Sequence, residues 1–204
     1  MKTALILGIG GQDGSYLAEV LLEHNYSVHG MYRRSSTGNL KRIDHIKDKV
    51  ILHQGDLLDQ TSLMQIISEA RPDEIYNEAD QDHIGTSYAT PGYSADVTAS
   101  TVGKLLEIAR SFKRIIKVFQ PVSATMFGNS SSNIQNELTP LNPQSPYAVC
   151  KAAAYHWARY YRQSCGMFVS TAILYNHDSP RRSGDYLLQK ICRAAVAIKE
   201  GKQD

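Results

Sequence analysis

Short apolar runs alternate with amphipathic stretches along this chain. Thr3–Leu7 is a brief, mostly apolar run, the form taken by a parallel strand covered on both faces. A helix is expected from Ser15, because Tyr16, Leu17, Val20 and Leu21 recur at helical spacing, and Asn25 offers a stop. Ser27–Tyr32 and Val50–Leu52 read as the second and third strands. Asp59 is placed to cap a helix through Ala70, which Pro72 prevents from continuing. Glu74–Tyr76 reads as the fourth strand, followed by a polar loop to Pro91 and a long helix to about Arg110. Ile115–Phe119 is the fifth strand, and Asn129–Pro143, rich in Ser, Asn and Pro, is a surface loop. A helix carrying Tyr147, Tyr155 and Trp157 runs to Gly166, Phe168–Leu174 makes a sixth strand, and a last helix spans about Asp185–Lys199. This rhythm predicts an α/β fold, a Rossmann-type doubly wound parallel sheet over residues 1–175.

Composition narrows the class without naming a function. With 204 residues and 42% hydrophobic content, a packed core is feasible. The 22 basic and 20 acidic residues leave a net charge of +2, so no concentrated basic face points to nucleic acid. No stretch nears the roughly 18 apolar residues of a membrane span. MKTALILGIGG starts like a signal peptide, but Gln12-Asp13-Gly14 interrupts its apolar run at once. Cys150, Cys165 and Cys192 are odd in number and lack a C-x-x-C spacing, which suits a reducing cytoplasm. The seven histidines show no ligand spacing, so no metal is expected.

The candidate chemistry begins at Gly8-Ile9-Gly10-Gly11-Gln12-Asp13-Gly14, between the first strand and the first helix. Gly8, Gly11 and Gly14 fall three apart, a spacing that allows a tight turn and close approach of backbone to a pyrophosphate at the helix N-terminus. Gln12 and Asp13 belong to the same turn. At the end of the second strand, Tyr32-Arg33-Arg34-Ser35 supplies guanidinium and hydroxyl groups but no carboxylate. That favours a ribose 2′-phosphate, and hence NADP rather than NAD. Asp56, with Leu57 beside it, is placed after the third strand to accept a hydrogen bond from adenine. Tyr147 and Lys151 stand four apart on one predicted helix, where an ammonium favours the phenolate and makes tyrosine a usable base.

Together these features resemble the extended short-chain dehydrogenase/reductases, and within them the GDP-mannose 4,6-dehydratases. The resemblance rests on Gly8–Leu17, Val28–Ser36, Gly55-Asp56-Leu57, Glu74–Asn77, Ser145-Pro146-Tyr147 with Lys151, and Asn176-His177-Asp178-Ser179-Pro180-Arg181-Arg182. It implies a lyase that uses NADP to oxidise a GDP-sugar at C4 and then eliminates water. Tyr147 would take the C4 hydroxyl proton, Ser123 would hydrogen-bond O4, and Lys151 would lower the Tyr147 pKa and hold the nicotinamide ribose. Asn176, Arg181 and Arg182 would approach the substrate's phosphates, and residues 176–204 would begin a nucleotide-sugar-binding lobe that is largely missing. A homodimer or homotetramer is implied as well, with the loop around Ser35–Arg42 reaching a neighbour.

Two segments depart from that pattern. The family's glutamate, two residues beyond Ser123, is Thr125 here, and a hydroxyl cannot replace a carboxylate as base for a carbon acid. After the fourth strand, where the dehydratases carry mostly small or neutral residues, Glu78, Asp80 and Asp82 bring three carboxylates; Asp82 is the candidate replacement acid or base. Three functions are therefore weighed: a GDP-sugar dehydratase, a C4 oxidoreductase or epimerase acting on a GDP-sugar such as a GDP-heptose, and a non-catalytic binder of NADP or sugar nucleotide.

Overall fold

A computed structural model describes residues 1–130 and 134–202. Residues 131–133 of the expected surface loop lie outside the described residues. The six strands are β1 (Thr3–Leu7), β2 (Ser27–Tyr32), β3 (Ile51–Gln54), β4 (Glu74–Asn77), β5 (Lys117–Ser123) and β6 (Val169–Leu174). All pair in parallel, in the order β3-β2-β1-β4-β5-β6. The order reverses between β1 and β4, so a crevice opens beyond their carboxyl ends, where ligands bind in open α/β sheets.

The helices are α1 (Gln12–Glu23), α2 (Gln60–Ala70), α3 (Ile84–Ala89), α4 (Pro91–Ser94), α5 (Thr101–Ser111), α6 (Pro146–Ser164) and α7 (Leu187–Lys199). The local signals act as expected. Asn25 takes a left-handed φ of 59° just after α1, and the Asp59 side chain accepts from the Thr61 N–H to cap α2. Arg71, also left-handed, ends α2 before Pro72. The long helix expected from Pro91 to about Arg110 forms as α4 and α5 joined by a π-helical turn, Ala95–Ser100.

Alternation along β1 builds two cores. Leu5 and Leu7 face α2, α5 and α6 with Leu63, Ile67, Leu105, Leu106, Ala154 and Ala158. Ala4 and Ile6 face α1 with Ile9, Ala18 and Leu21, joined by Ile43 and Ile46 of a 3₁₀ helix, Lys41–Lys49. A strand apolar on both faces is what a sheet covered on both sides requires. By contrast α7 buries none of its residues. No helix among the described residues is long and apolar enough to cross a membrane.

Candidate active site

The turn between β1 and α1 is built by its own backbone. Gly8 adopts φ +83°, and its N–H donates to the Met31 carbonyl at 3.0 Å. The Gly11 N–H returns to the Gly8 carbonyl at 2.9 Å. A Cβ on Gly14 would lie 2.4 Å from the Gly8 oxygen, so only glycine lets the first turn of α1 lie against the end of β1. α1 starts at Gln12, earlier than the expected Ser15, and its N-cap, Gly11, supplies no side-chain cap. The helix therefore offers backbone N–H groups at its positive end to an anion.

This turn borders a cleft of about 900 Å³, at the upper end of the range for ligand pockets. Gly8, Gly11, Gln12, Asp13, Arg33, Asp56, Leu57, Ser123, Tyr147, Lys151, Asn176 and Arg182 all line it. The expected arginine pair is divided. Arg33 reaches the cleft and donates to the Tyr93 hydroxyl at 2.7 Å, whereas Arg34 and Ser35 are exposed and outside the lining. Asp56 Oδ1 accepts from the Leu58 N–H at 2.9 Å. Arg42, which no sequence signal marked, also lines the cleft, donating to the Gly10 and Arg181 carbonyls at 3.1 and 2.7 Å. The end of the Ser35–Arg42 loop thus makes contacts within its own chain.

Deeper in, the N-terminal half of α6 buries Tyr147 and Lys151. Ser145 caps that helix by accepting from the Ala148 N–H at 3.1 Å, which fixes where both side chains emerge. Lys151 Nζ lies 5.7 Å from the Tyr147 ring centroid, and Ser123, at the end of β5, lines the same cleft and favours the Tyr147 phenolate. The Tyr147 pKa nevertheless stands above the ordinary tyrosine range. Burial raises it most, Asp80 and Asp82 add to the rise, and the opposing pull of Lys151 is insufficient. The expected net lowering is thus absent, because burial, with the carboxylates adding to it, outweighs Lys151. Thr125 donates its hydroxyl to Ser123 Oγ at 2.9 Å.

The three loop carboxylates separate. Asp82 is half-exposed and sits 3.7 Å from Arg182. That is the arrangement of a paired loop carboxylate. Asp80 pairs with Lys151 at 2.5 Å. Glu78 lines the cleft, with its carboxyl pushed up to about 7 by burial and then by Asp13, against the pull of Lys151 and His177. It is the carboxyl group best placed to hold a proton near neutrality, and sequence reasoning did not single it out. Its spacing matches that of its neighbours, but unlike Asp80 and Asp82 it has no ion pair among the described residues.

Asn176–Arg182 crosses the phosphate-binding turn. His177 Nε2 lies 2.8 Å from Asp13 Oδ2, and the Ser179 hydroxyl donates to Gln12 Oε1 at 2.8 Å. Arg181 does not line the cleft. Its guanidinium lies 3.9 Å over the Tyr16 ring, donates to Ser15 Oγ at 3.1 Å and pairs with Glu19. Arg182 turns the other way into the cleft, stacked 3.6 Å from the Tyr186 ring centroid and beside Asp178 and Asp82.

Residues 5–204 match the protein family described as GDP-mannose 4,6 dehydratase. The chain belongs to the GDP-mannose 4,6-dehydratase family. It is 45% identical to GDP-mannose 4,6 dehydratase 1 of Arabidopsis thaliana, covering 99% of this chain and 59% of the plant protein. It is also 45% identical to GDP-mannose 4,6-dehydratase of Yersinia enterocolitica, over 100% of this chain and 57% of that protein. The chain therefore spans under three-fifths of the length of these two relatives. Among solved structures it is similar to a Thermus thermophilus UDP-glucose 4-epimerase complexed with NAD, with TM-score 0.85 and 25% identity over 98% of this chain and 63% of that one. A Streptomyces venezuelae dTDP-glucose 4,6-dehydratase shares the fold, with TM-score 0.82 at 22% identity over 97% of this chain and 62% of that one.

Proposed function

We propose that this chain is the cofactor-binding part of a nucleotide-sugar 4,6-dehydratase that acts on a GDP-sugar with NADP. One observation carries the reading: a single cleft joins the phosphate-binding turn to half-buried Ser123 and the buried Tyr147 and Lys151. The cofactor fits the residues present. Gly11 leaves the start of α1 without a side-chain cap, and Asn77 Oδ1 at the end of β4 is a buried acceptor with no partner among the described residues. Gly8, Gly11, Gln12, Asp13 and Gly14 would hold the pyrophosphate, Arg33 the 2′-phosphate, and Asp56 and Leu57 the adenine end. When bound, the nicotinamide supplies the hydride acceptor.

Tyr147 then exchanges a proton with the sugar O4, Ser123 orients that oxygen, and Lys151 fixes the charge beside them. Asn176 and Arg182 would meet the phosphates of the sugar nucleotide, while Arg181 braces the segment against α1. Residues 1–175 form the cofactor domain in this reading, and 176–204 begin the substrate lobe. The test is incubation of the full-length protein with NADP and GDP-mannose, followed by mass spectrometry. Loss of one water is expected, and an unchanged sugar nucleotide despite cofactor binding would refute the reading.

A second reading rests on Thr125. Its hydroxyl bonded to Ser123 occupies the place of an elimination base, which favours oxidation at C4 without dehydration. Loss of two hydrogens in the same experiment would select it.

A further inference from the structure

Lys151 has three N–H donors and little choice of partners. One faces the Pro121 carbonyl at 3.3 Å and one faces Asp80 Oδ2 at 2.5 Å, with the two side chains only 7% and 13% exposed. Asp80 is itself held from two sides. Its Oδ1 accepts from the Gln81 N–H at 2.7 Å and from the hydroxyl of Thr98, which the π-helical turn presents. Its Oδ2 is buried and has no hydrogen-bond partner among the described residues, leaving the Lys151 ammonium as its ionic partner. A buried ion pair is poor evidence for stability, because desolvation offsets most of the attraction. Its position suggests another use: it touches the base of the tyrosine-lysine pair.

We propose that Asp80 is a positioning residue for that pair: its carboxylate fixes the Lys151 ammonium against β5 and offsets part of the ammonium's pull on Tyr147. The inference rests on the reading of Tyr147 as the proton-transfer group. The charged and polar groups acting on Tyr147 are Lys151 from α6, Asp80 and Asp82 from the loop after β4, and Ser123 from β5. Lys151 is also within the field of Glu78. Lys151 and Ser123 favour the phenolate, whereas Asp80 and Asp82 favour the phenol. Asp80 likewise keeps Lys151 charged against burial. Burial is the largest cause that favours the phenol at Tyr147, and Asp80 adds to it by opposing Lys151. The third Lys151 N–H stays available to a cofactor or substrate hydroxyl.

The test needs no turnover. The full-length protein is isotope-labelled at tyrosine Cζ and titrated by NMR, with Tyr147 assigned through Tyr147→Phe. In Asp80→Asn the Tyr147 midpoint is expected to move down by about one pH unit or more, the scale of one charge at close range. An unchanged or higher midpoint in a folded variant overturns the proposal. Asp80→Ala, which leaves a small neutral side chain, must show the same direction. If neither variant keeps the native circular dichroism, Asp80 is structural and the proposal falls. Absence of dehydration or oxidation in the mass-spectrometric test would sink the proposed function alone, leaving the titration result to stand on its own.

Discussion

Replacing Glu78 with glutamine should change how stability depends on pH. The Glu78 carboxyl is raised from 4.5 to about 7 by burial and by Asp13. Between those values the native state keeps a proton that the unfolded chain has lost, so stability falls as pH rises through this window and levels off above it. At about 1.36 kcal/mol per pH unit, the full span corresponds to about 3 kcal/mol, of which about 2–3 kcal/mol falls between pH 5 and pH 8. Glutamine keeps the shape and cannot ionise, so Glu78→Gln should lose this slope.

Other groups also titrate, so the informative quantity is the gap between native and variant melting temperatures. For a chain of this size 1 kcal/mol moves the midpoint by roughly 2–4 °C, so the gap should widen in the variant's favour by roughly 4–12 °C from pH 5 to pH 8. Melts followed by circular dichroism at pH 5, 6, 7 and 8 would show this. A gap that stays constant over that range would refute the reasoning, because it would mean that Glu78 ionises equally readily folded and unfolded.

Gly14→Ala puts a methyl group 2.4 Å from the Gly8 oxygen and should cost about 1–3 kcal/mol in denaturant melts, together with cofactor binding measured by fluorescence titration. Arg33→Ala should weaken NADP binding about tenfold or more while leaving NAD binding nearly unchanged, and Arg34→Ala should do neither, as isothermal titration would report. Arg181→Ala removes the stack on Tyr16 and the pair with Glu19, so it should lower stability by about 1–2 kcal/mol without changing sugar-nucleotide affinity in a direct binding assay. Asp82→Asn should retain turnover in the mass-spectrometric assay, because Asp82 is half-exposed and paired with Arg182; its loss would restore Asp82 as an acid or base.

What the sequence made legible was what depends on short separations. Apolar runs marked all six strands, and Asn25 and Asp59 marked helix ends, because each acts on the backbone within a few residues. The start of α1 was misplaced because Gly11 caps without a side chain, so Gln12-Asp13-Gly14 reads as loop. The 3₁₀ helix at Lys41–Lys49 and the six-residue α3 are too short or too irregular to show a helical period. The site divides in the same way. Tyr147 and Lys151 were paired correctly because one helix sets their spacing. The Asp80–Lys151 pair joins the loop after β4 to α6, a relation only the sheet order creates. Arg181 and Arg182 are adjacent in a segment with no repeating period, so nothing local tells that one braces α1 and the other faces the cleft.

The fate of the acidic loop follows from where β4 stops. In a continuing strand Glu78, Asp80 and Asp82 would share one face, three like charges in a row. The strand ends at Asn77, so each carboxylate is free to find a different answer to its charge. Glu78 keeps a proton near neutrality, Asp80 faces Lys151, and Asp82 faces Arg182. Asp13, another acid along the cleft, faces His177, whose pKa is raised by the Tyr175 carbonyl and by that contact. An anionic ligand at the start of α1 therefore meets a cleft in which the charge of these four acidic side chains is already masked. The masking has a consequence for the proposed substrate phosphates. Arg182 keeps only long contacts to Asp82 and Asp178, at 3.7 and 3.6 Å, and its buried Nε has no hydrogen-bond partner among the described residues, so its donors stay open to a phosphate.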